Sequence, residues 1–164
     1  MIELREIKNK IIKKENFYFL AIISIIFTLD RCSKIKIIQN FNDKTFYVND
    51  FLNLDLTWNT GVGFGLLRSS SEIYYNVVSI IIAIVILFLI LYIINSKRFD
   101  KIAFSIILGG ALGNFYDRLF FKAVPDFIDF HYNNFHWFTF NFADIFITLG
   151  VMLYLFKNIL FNND

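Results

Sequence analysis

The stretch Ile73–Ile94, IYYNVVSIIIAIVILFLILYII, contains 22 residues and no charged side chain. A helix needs about 20 consecutive, mostly apolar residues to cross the hydrocarbon core of a bilayer. The whole chain has the same character, since 57% of its 164 residues are apolar and its mean hydropathy is +0.55. Because no linker-like or repeated segment divides it, we expect a single polytopic membrane domain over Met1–Asp164.

Three further stretches are long enough to span if polar residues near their ends are tolerated. The four predicted spans are approximately Phe17–Ile38, Ile73–Ile94, Ile102–Phe121 and Trp137–Leu160. Basic residues cluster in the N-terminal segment, in the loop after the second span and near the C-terminus: Arg5, Lys8, Lys10, Lys13, Lys14, Lys97, Arg98, Lys101 and Lys157. The positive-inside rule therefore predicts that both termini lie in the cytoplasm.

The two segments expected on the outer side are not bare loops. Phe51–Trp58, FLNLDLTW, alternates strictly and predicts a strand with Leu52, Leu54, Leu56 and Trp58 on one face. The glycines of Asn59–Gly65, NTGVGFG, permit a turn. The predicted fold class is an all-α integral membrane protein with four transmembrane helices. A small extracytoplasmic β-sheet is expected between helices 1 and 2, and an interfacial segment between helices 3 and 4.

Polar residues in three of the spans fall at one predicted depth. Asp30 stands 16 residues beyond Lys14, which is roughly 24 Å along a helix. Asn114 and Asp117 stand roughly 20 and 24 Å beyond Lys101, and Asp144 and Asn141 stand the same distances from Lys157. Carboxylates in lipid are costly, so these groups should face the bundle interior and each other.

The pattern Asn-x-x-Asp occurs twice, at Asn114–Asp117 and at Asn141–Asp144, and it places both polar groups on one helix face. Two carboxylates held close together share a proton, which equips them to activate water against a peptide carbonyl. Spacing alone does not decide whether Asp117 or Asp126 is the partner of Asp144. A helix-end salt bridge with Arg118 is the structural alternative.

Two other functions fit a small polytopic protein. One is a proton-coupled transporter or ion-pathway subunit that uses intramembrane carboxylates. The other is a non-enzymatic assembly or anchoring protein. The first predicts polar groups through the full depth of the bilayer, whereas the inner halves of the spans are almost free of charge. The second gives no reason for the matched Asn-x-x-Asp pairs.

The composition predicts neither a metal site nor a cofactor. Cys32 is the only cysteine, so no internal disulfide can form, and with His131 and His136 it makes a poor ligand set. The two histidines are expected in a loop or at the membrane interface. The basic residues do not form a nucleic-acid-binding surface.

Five blocks, taken in order, resemble the signature blocks of the bacterial lipoprotein signal peptidase family, also called signal peptidase II. They are Asp30–Lys34 (DRCSK), Asn59–Gly65 (NTGVGFG), Gly109–Arg118 (GGALGNFYDR), Val124–Phe130 (VPDFIDF) and Phe140–Asp144 (FNFAD). The resemblance implies an intramembrane aspartic endopeptidase of the bacterial inner membrane. Such an enzyme removes the signal peptide of a diacylglyceryl-modified prolipoprotein, cutting just before the lipidated cysteine, near the outer face.

The resemblance also implies roles for individual residues. Asp126 and Asp144 would form the catalytic dyad. Four residues would bind substrate or orient the dyad: Asn59, Asn114, Arg118 and Asn141. Three would support the helix ends: Asp30, Lys34 and Asp117. The implied partners are lipid-modified prolipoproteins, membrane phospholipids and globomycin, a cyclic lipopeptide inhibitor. The family usually has Gln where Arg31 stands, and this extra charge is expected to extend outward.

Overall fold

The computed structural model describes residues 14–41, 45–61, 72–133 and 135–161. These residues form four long helices: α1 (Lys14–Asn40), α2 (Glu72–Asn95), α3 (Arg98–Phe121) and α4 (Phe142–Phe161). They also form four strands: β1 (Phe46–Asn49), β2 (Leu52–Asn59), β3 (Val124–Tyr132) and β4 (Phe135–Phe140). The architecture is therefore mostly helical with a small sheet.

Two of the described helices are long and apolar enough to cross a membrane by length and composition: α2, and Phe142–Leu160 of α4. Helices α1 and α3 carry most of the buried charged side chains and are not among these two. The spans predicted at Ile73–Ile94 and in the fourth apolar stretch thus have matching helices. The spans predicted within α1 and α3 remain predictions.

The strands form one antiparallel sheet in the order β1-β2-β3-β4. A mostly helical fold with a small sheet is therefore confirmed, but β3 and β4 come from the region predicted as an interfacial segment, so the sheet extends beyond the segment between the first two helices. The predicted fourth span also started too early, because Trp137–Phe140 lies in β4 and the helix begins at Phe142. Aromatic residues favour strands, and FHWFTF is rich in them.

The sheet packs its leucines against the end of α1. Leu52, Leu54 and Leu56 contact a buried cluster of Ile37, Phe127 and Ile128. Trp58 does not join the leucines as predicted, since it is 40% exposed and its ring lies 6.0 Å from that of Phe121. A register shift between Leu54 and Thr57 interrupts the alternation before it reaches Trp58.

Helix α3 lies at the centre of the bundle and contacts each of the other three helices. Its glycines permit close approach. A Cβ at Gly109 would lie 2.8 Å from Cβ of Ile26, and a Cβ at Gly113 would lie 2.9 Å from Cγ of Asp30. Small residues at such crossings let helices in membranes pack closely. Gly113 therefore brings α3 directly against the carboxylate of α1.

Two polar contacts show which helix ends share one side of the bundle. Lys157 Nζ lies 2.5 Å from Asp100 Oδ1, which places the end of α4 beside the start of α3. Lys101 Nζ donates to Asn16 Oδ1 over 3.1 Å, which adds the start of α1 to the same end. The predicted basic segment Arg5–Lys13 lies outside the described residues.

Candidate active site

Asp126 lies near the start of β3 and is 1% exposed. Each of its carboxylate oxygens accepts a hydrogen bond from an asparagine. Asn59, the last residue of β2, donates from Nδ2 to Oδ2 over 2.8 Å. Asn141, in the link between β4 and α4, donates from Nδ2 to Oδ1 over 2.6 Å. The sheet and the start of a helix thus hold this carboxylate from two sides.

Asn141 also fixes Asp144, through the first turn of α4. Its Oδ1 accepts from the backbone N–H of Asp144 over 3.1 Å, and its own backbone N–H donates to Asp144 Oδ2 over 3.2 Å. These reciprocal bonds are those of a capping box, with Asn at the N-cap and Asp in place of Glu three residues later. The Asn-x-x-Asp spacing therefore marks the start of the helix and, through Asn141, links Asp144 to Asp126.

Burial of Asp126 and, to a smaller extent, the negative charge of Asp144 raise its pKa to about 7. The hydrogen bonds from Asn59 and Asn141 act the opposite way, since they favour the charged carboxylate. A carboxyl group with a pKa near 7 exchanges a proton at neutral pH. Asp126 can therefore act as an acid or as a base under physiological conditions.

A buried lysine, Lys34, connects Asp144 to polar side chains near the ends of α1 and α3. Lys34 Nζ lies 2.8 Å from each of three oxygens: Asp30 Oδ2, Asn114 Oδ1 and Asp117 Oδ2. Asn114 in turn donates from Nδ2 to Asp144 Oδ1 over 2.9 Å. A continuous polar chain therefore runs from Lys34 through Asn114 to Asp144.

Asp30 ties the first helix to the fourth. Its Oδ1 accepts from the backbone N–H of Ala143 over 3.0 Å. Backbone N–H groups in the first turn of a helix have no partner within the helix, and they favour a nearby negative charge. Asp30 thus supplies to α4 a partner that comes from another helix, and the position of α4 sets that of Asp144.

Arg118 occupies a separate position beside the turn after β2. Its Nη2 donates to the carbonyl of Gly61, and the hydroxyl of Tyr75 donates to its backbone carbonyl over 2.8 Å. Within the described part of the chain, Nε and Nη1 of Arg118 are buried without a hydrogen-bond partner. Val62–Gly65, the rest of the predicted glycine turn, lies outside the described residues.

The charge partners of Asp117 come from α1. Asp117 pairs with Arg31 and Lys34, and among the described contacts Arg118 makes no ion pair with Asp117, Asp126 or Asp144. A helix-end salt bridge between Arg118 and either dyad candidate is therefore wrong. Arg31 does not simply extend outward either, because it reaches across to α3 and its guanidinium lies 4.6 Å from the ring centre of Tyr116.

All nine residues singled out from the sequence lie at this end of the bundle, where one polar network joins most of them. The network connects Asp30, Lys34, Asn59, Asn114, Asp117, Asp126, Asn141 and Asp144. Arg118 lies next to it through Gly61, whose backbone N–H donates to Asn59 Oδ1 over 2.8 Å. Sequence reasoning missed two contributors, Arg31 and Tyr75. Only the position of Arg31 next to Asp30 could have suggested its role.

Comparisons with known proteins all identify the same family. Residues 22–160 match the family described as signal peptidase (SPase) II. The lipoprotein signal peptidase of Pelagibacter ubique (strain HTCC1062) is 42% identical over 158 residues, which cover 94% of this chain and 95% of that protein. The lipoprotein signal peptidase of Alteromonas mediterranea is 35% identical over 156 residues, with 91% and 86% covered.

Solved structures agree. A bacterial membrane enzyme determined by the in meso method at 2.3 Å resolution superimposes with a TM-score of 0.71 at 30% identity, covering 90% of this chain and 92% of the other. A second, at 1.9 Å, gives the same TM-score at 28% identity, with 88% and 94% covered. None of these relatives supports the alternative of a proton-coupled transporter.

Proposed function

The chain belongs to the signal peptidase II family, and from that premise we propose that Asp126 and Asp144 form its catalytic dyad. The protein is a membrane peptidase, a hydrolase that removes signal peptides from prolipoproteins. The observation that carries the dyad assignment is the double role of Asn141, which bonds to both carboxylates. No other carboxylate pair in the described residues is joined in this way by a neutral side chain at the junction of sheet and helix.

The chemistry follows from a pair that shares one proton. Asp126, with its pKa raised to about 7, holds that proton for part of the time at neutral pH. In the proposed reaction Asp144 takes a proton from a water molecule as it attacks the scissile carbonyl carbon. Asp126 donates its proton to the carbonyl oxygen, which gives a neutral tetrahedral intermediate. Collapse of that intermediate breaks the C–N bond: Asp144 returns its proton to the leaving amine, and Asp126 takes back a proton from one hydroxyl as the C=O double bond forms again.

Arg118 and Asn59 are proposed to position the substrate. The Nε and Nη1 groups of Arg118 are buried without partners in the described part of the chain, and leaving them so is costly. Peptide carbonyl oxygens of a bound precursor would satisfy them. Asn59 lies between this arginine and the dyad, because it bonds to Gly61 on one side and Asp126 on the other.

The proposed topology has four spans in the bacterial inner membrane, with both termini in the cytoplasm. The contacts of Lys101 and Lys157 gather three helix ends at one side, and the dyad network lies near the opposite ends of the same helices. The positive-inside rule assigns the basic side to the cytoplasm. The dyad would then lie near the outer face, where a diacylglyceryl cysteine keeps its acyl chains in lipid. A reporter fused after Lys44 should behave as extracytoplasmic, and a cytoplasmic signal would contradict the four-span topology.

The same topology indicates where lipids, substrate and inhibitor would lie. Membrane phospholipids would surround the apolar outer faces of the helices, and lipid-modified prolipoproteins would reach the dyad from the bilayer. Globomycin is expected to bind beside Asn59, Arg118 and the dyad. The direct test is incubation of the purified protein with a lipid-modified precursor. A product shortened by its signal peptide, with cleavage inhibited by globomycin, is the expected result.

A further inference from the structure

A second cluster of titratable side chains lies further along β3, outside the dyad network. It consists of Asp129 and His131 on β3 and His136 on β4. We propose that these three side chains form a binding site for a divalent transition-metal ion of the Zn²⁺ class. The composition predicts no metal site, because Cys32 and two histidines make a poor set. The fold adds Asp129 to the two histidines.

The strands explain why these residues meet. Residues two apart on a strand point to the same face, which places His131 beside Asp129. His136 is the cross-strand partner of His131, and the rings of the two histidines stack with centres 5.2 Å apart. Asp129 Oδ2 lies 2.7 Å from His136 Nδ1 and 3.6 Å from His131 Nδ1. One ligand atom from each residue lies within 4.8 Å of the other two.

An unpaired buried atom points to a missing ligand. His131 is 6% exposed, and its Nδ1 has no hydrogen-bond partner among the described residues. Buried polar atoms normally have a partner, and one without costs roughly 1–3 kcal/mol. Asn53, which pairs with Asp129 across the sheet, likewise has a buried Oδ1 without a partner in the described part of the chain. A metal ion would satisfy the imidazole nitrogen, and a water bound to it could donate to Asn53.

The donor set selects the class of metal. Two imidazole nitrogens and one carboxylate oxygen suit Zn²⁺ and its neighbours better than Mg²⁺ or Ca²⁺, which prefer oxygen ligands. Bonds of about 2.0–2.1 Å in a tetrahedral site place ligand atoms roughly 3.3 Å apart. His136 would have to move away from Asp129 and towards His131, because the ligand atoms now lie up to 4.8 Å apart. Its side chain is 57% exposed and can do so, and this exposure also gives the ion access from water.

The proposed ion would join β3 to β4 across the turn that follows Tyr132. In that turn Asn133 has a positive φ of 52°. His131 is also tied to the other side of the sheet, since its backbone N–H donates to the carbonyl of Phe51 over 3.0 Å. Because β3 carries Asp126 at its other end, metal binding would stabilise the strand that positions one member of the dyad.

The test is a metal titration of the purified full-length protein in detergent, without a histidine tag and after treatment with a chelator. Zn²⁺ binding is measured by calorimetry, and Co²⁺ is used as a spectroscopic probe because its visible absorption reports the ligand geometry. We expect one ion per chain with micromolar affinity. His136→Ala changes an exposed side chain and should fold normally, and it should weaken binding at least tenfold. Asp129→Asn and His131→Gln should do the same.

The controls separate this site from other possible ligands. The double variant Asp126→Asn, Asp144→Asn and the single variant Cys32→Ser should bind Zn²⁺ as the unaltered protein does. The inference is overturned if the unaltered protein binds Zn²⁺ only at millimolar concentrations. It is equally overturned if the folded His136→Ala protein keeps full affinity, or if the dyad variant loses it.

Discussion

Asn141 donates a hydrogen bond of 2.6 Å from Nδ2 to Asp126 Oδ1, although the two residues belong to different elements of the fold. Asn141 is the N-cap of α4, whereas Asp126 is part of β3. The bond therefore fixes the distance between the sheet and the helix that carries Asp144. If the two carboxylates act together, this asparagine controls how they face each other.

Replacement of Asn141 should separate its two roles. Asn141→Ser keeps an oxygen that can cap α4 but removes the amide that reaches Asp126. We expect turnover to fall about 5- to 150-fold, and the lost buried hydrogen bond to lower the stability by roughly 1–3 kcal/mol. Asn141→Ala should lose the same activity and also about 1 kcal/mol of stability from the missing cap. Turnover and melting temperature in detergent check this, with the exposed Asn76→Ala as control. Normal turnover in Asn141→Ser would contradict the proposed role.

The raised pKa of Asp126 predicts an unusual dependence of stability on pH. The group titrates at about 7 when folded and near 3.8 when unfolded, so between these values only the folded protein holds the proton. Raising the pH through this range therefore favours unfolding, and the effect is complete once the pH exceeds about 7. Asp126→Asn cannot titrate and should escape this loss.

The measurement is the difference in melting temperature between Asp126→Asn and the unaltered protein, taken at pH 5 and at pH 8. Between pH 5 and the folded pKa of about 7, the unaltered protein should lose roughly 3 kcal/mol of stability relative to the variant. The difference should shift in favour of the variant as the pH rises. A difference that is constant with pH would contradict the raised pKa of Asp126.

Asp117 should matter for assembly and not for chemistry. Asp117→Asn would remove the negative charge that faces Lys34 and Arg31, which leaves buried cations poorly paired. Breaking a buried pair from one side typically costs about 3–5 kcal/mol, so the variant should accumulate poorly in membranes. Arg31→Gln is the matched control. In this variant Asp117 keeps its ion pair with Lys34, so the loss of stability should be much smaller. Membrane level and melting temperature check both. A well-folded, abundant and inactive Asp117→Asn protein would instead place Asp117 in the dyad.

Gly113 should tolerate no side chain. A Cβ at this position would overlap the carboxylate of Asp30, which holds Lys34 and the first turn of α4. Gly113→Ala should therefore lower both the melting temperature and turnover, by about 1–3 kcal/mol in stability as for an overpacked core. Leu119→Ala, an exposed position on the same helix, is the control. Equal effects of the two changes would show that Asp30 moves aside at no cost.

Much of this site could be predicted from the sequence, because the depth of a residue in the membrane follows from its position along a helix. Counting residues from Lys14, Lys101 and Lys157 placed the polar groups of three helices at one level, and in the structure Lys34, Asn114 and Asp144 form one chain of contacts there. The depth count does not identify Asp126, because Asp126 lies on a strand whose position depends on pairing with β2. Only the family resemblance implies its role.

The sheet and the charge pairs could not be predicted by counting. Hydropathy places β4 in the fourth span, because its aromatic residues are also apolar and hydropathy does not separate a strand from the start of a helix. The capping box of Asn141 and Asp144 marks that boundary, but from the sequence alone the same spacing also fits a shared helix face. The pairing of Asp117 with Arg31 depends on how α1 and α3 pack, so no local pattern contains it.

Asp126 and Asp144 are proposed to act together, and cleavage of a lipid-modified prolipoprotein by the purified protein is the direct test. Turnover should be measured for the unaltered protein, Asp126→Asn and Asp144→Asn, beside membrane level and globomycin binding. Each variant is expected to insert and to bind the inhibitor, while turnover falls about 10²- to 10⁴-fold because proton transfer is lost. Near-normal cleavage by either well-folded variant would contradict the proposed dyad.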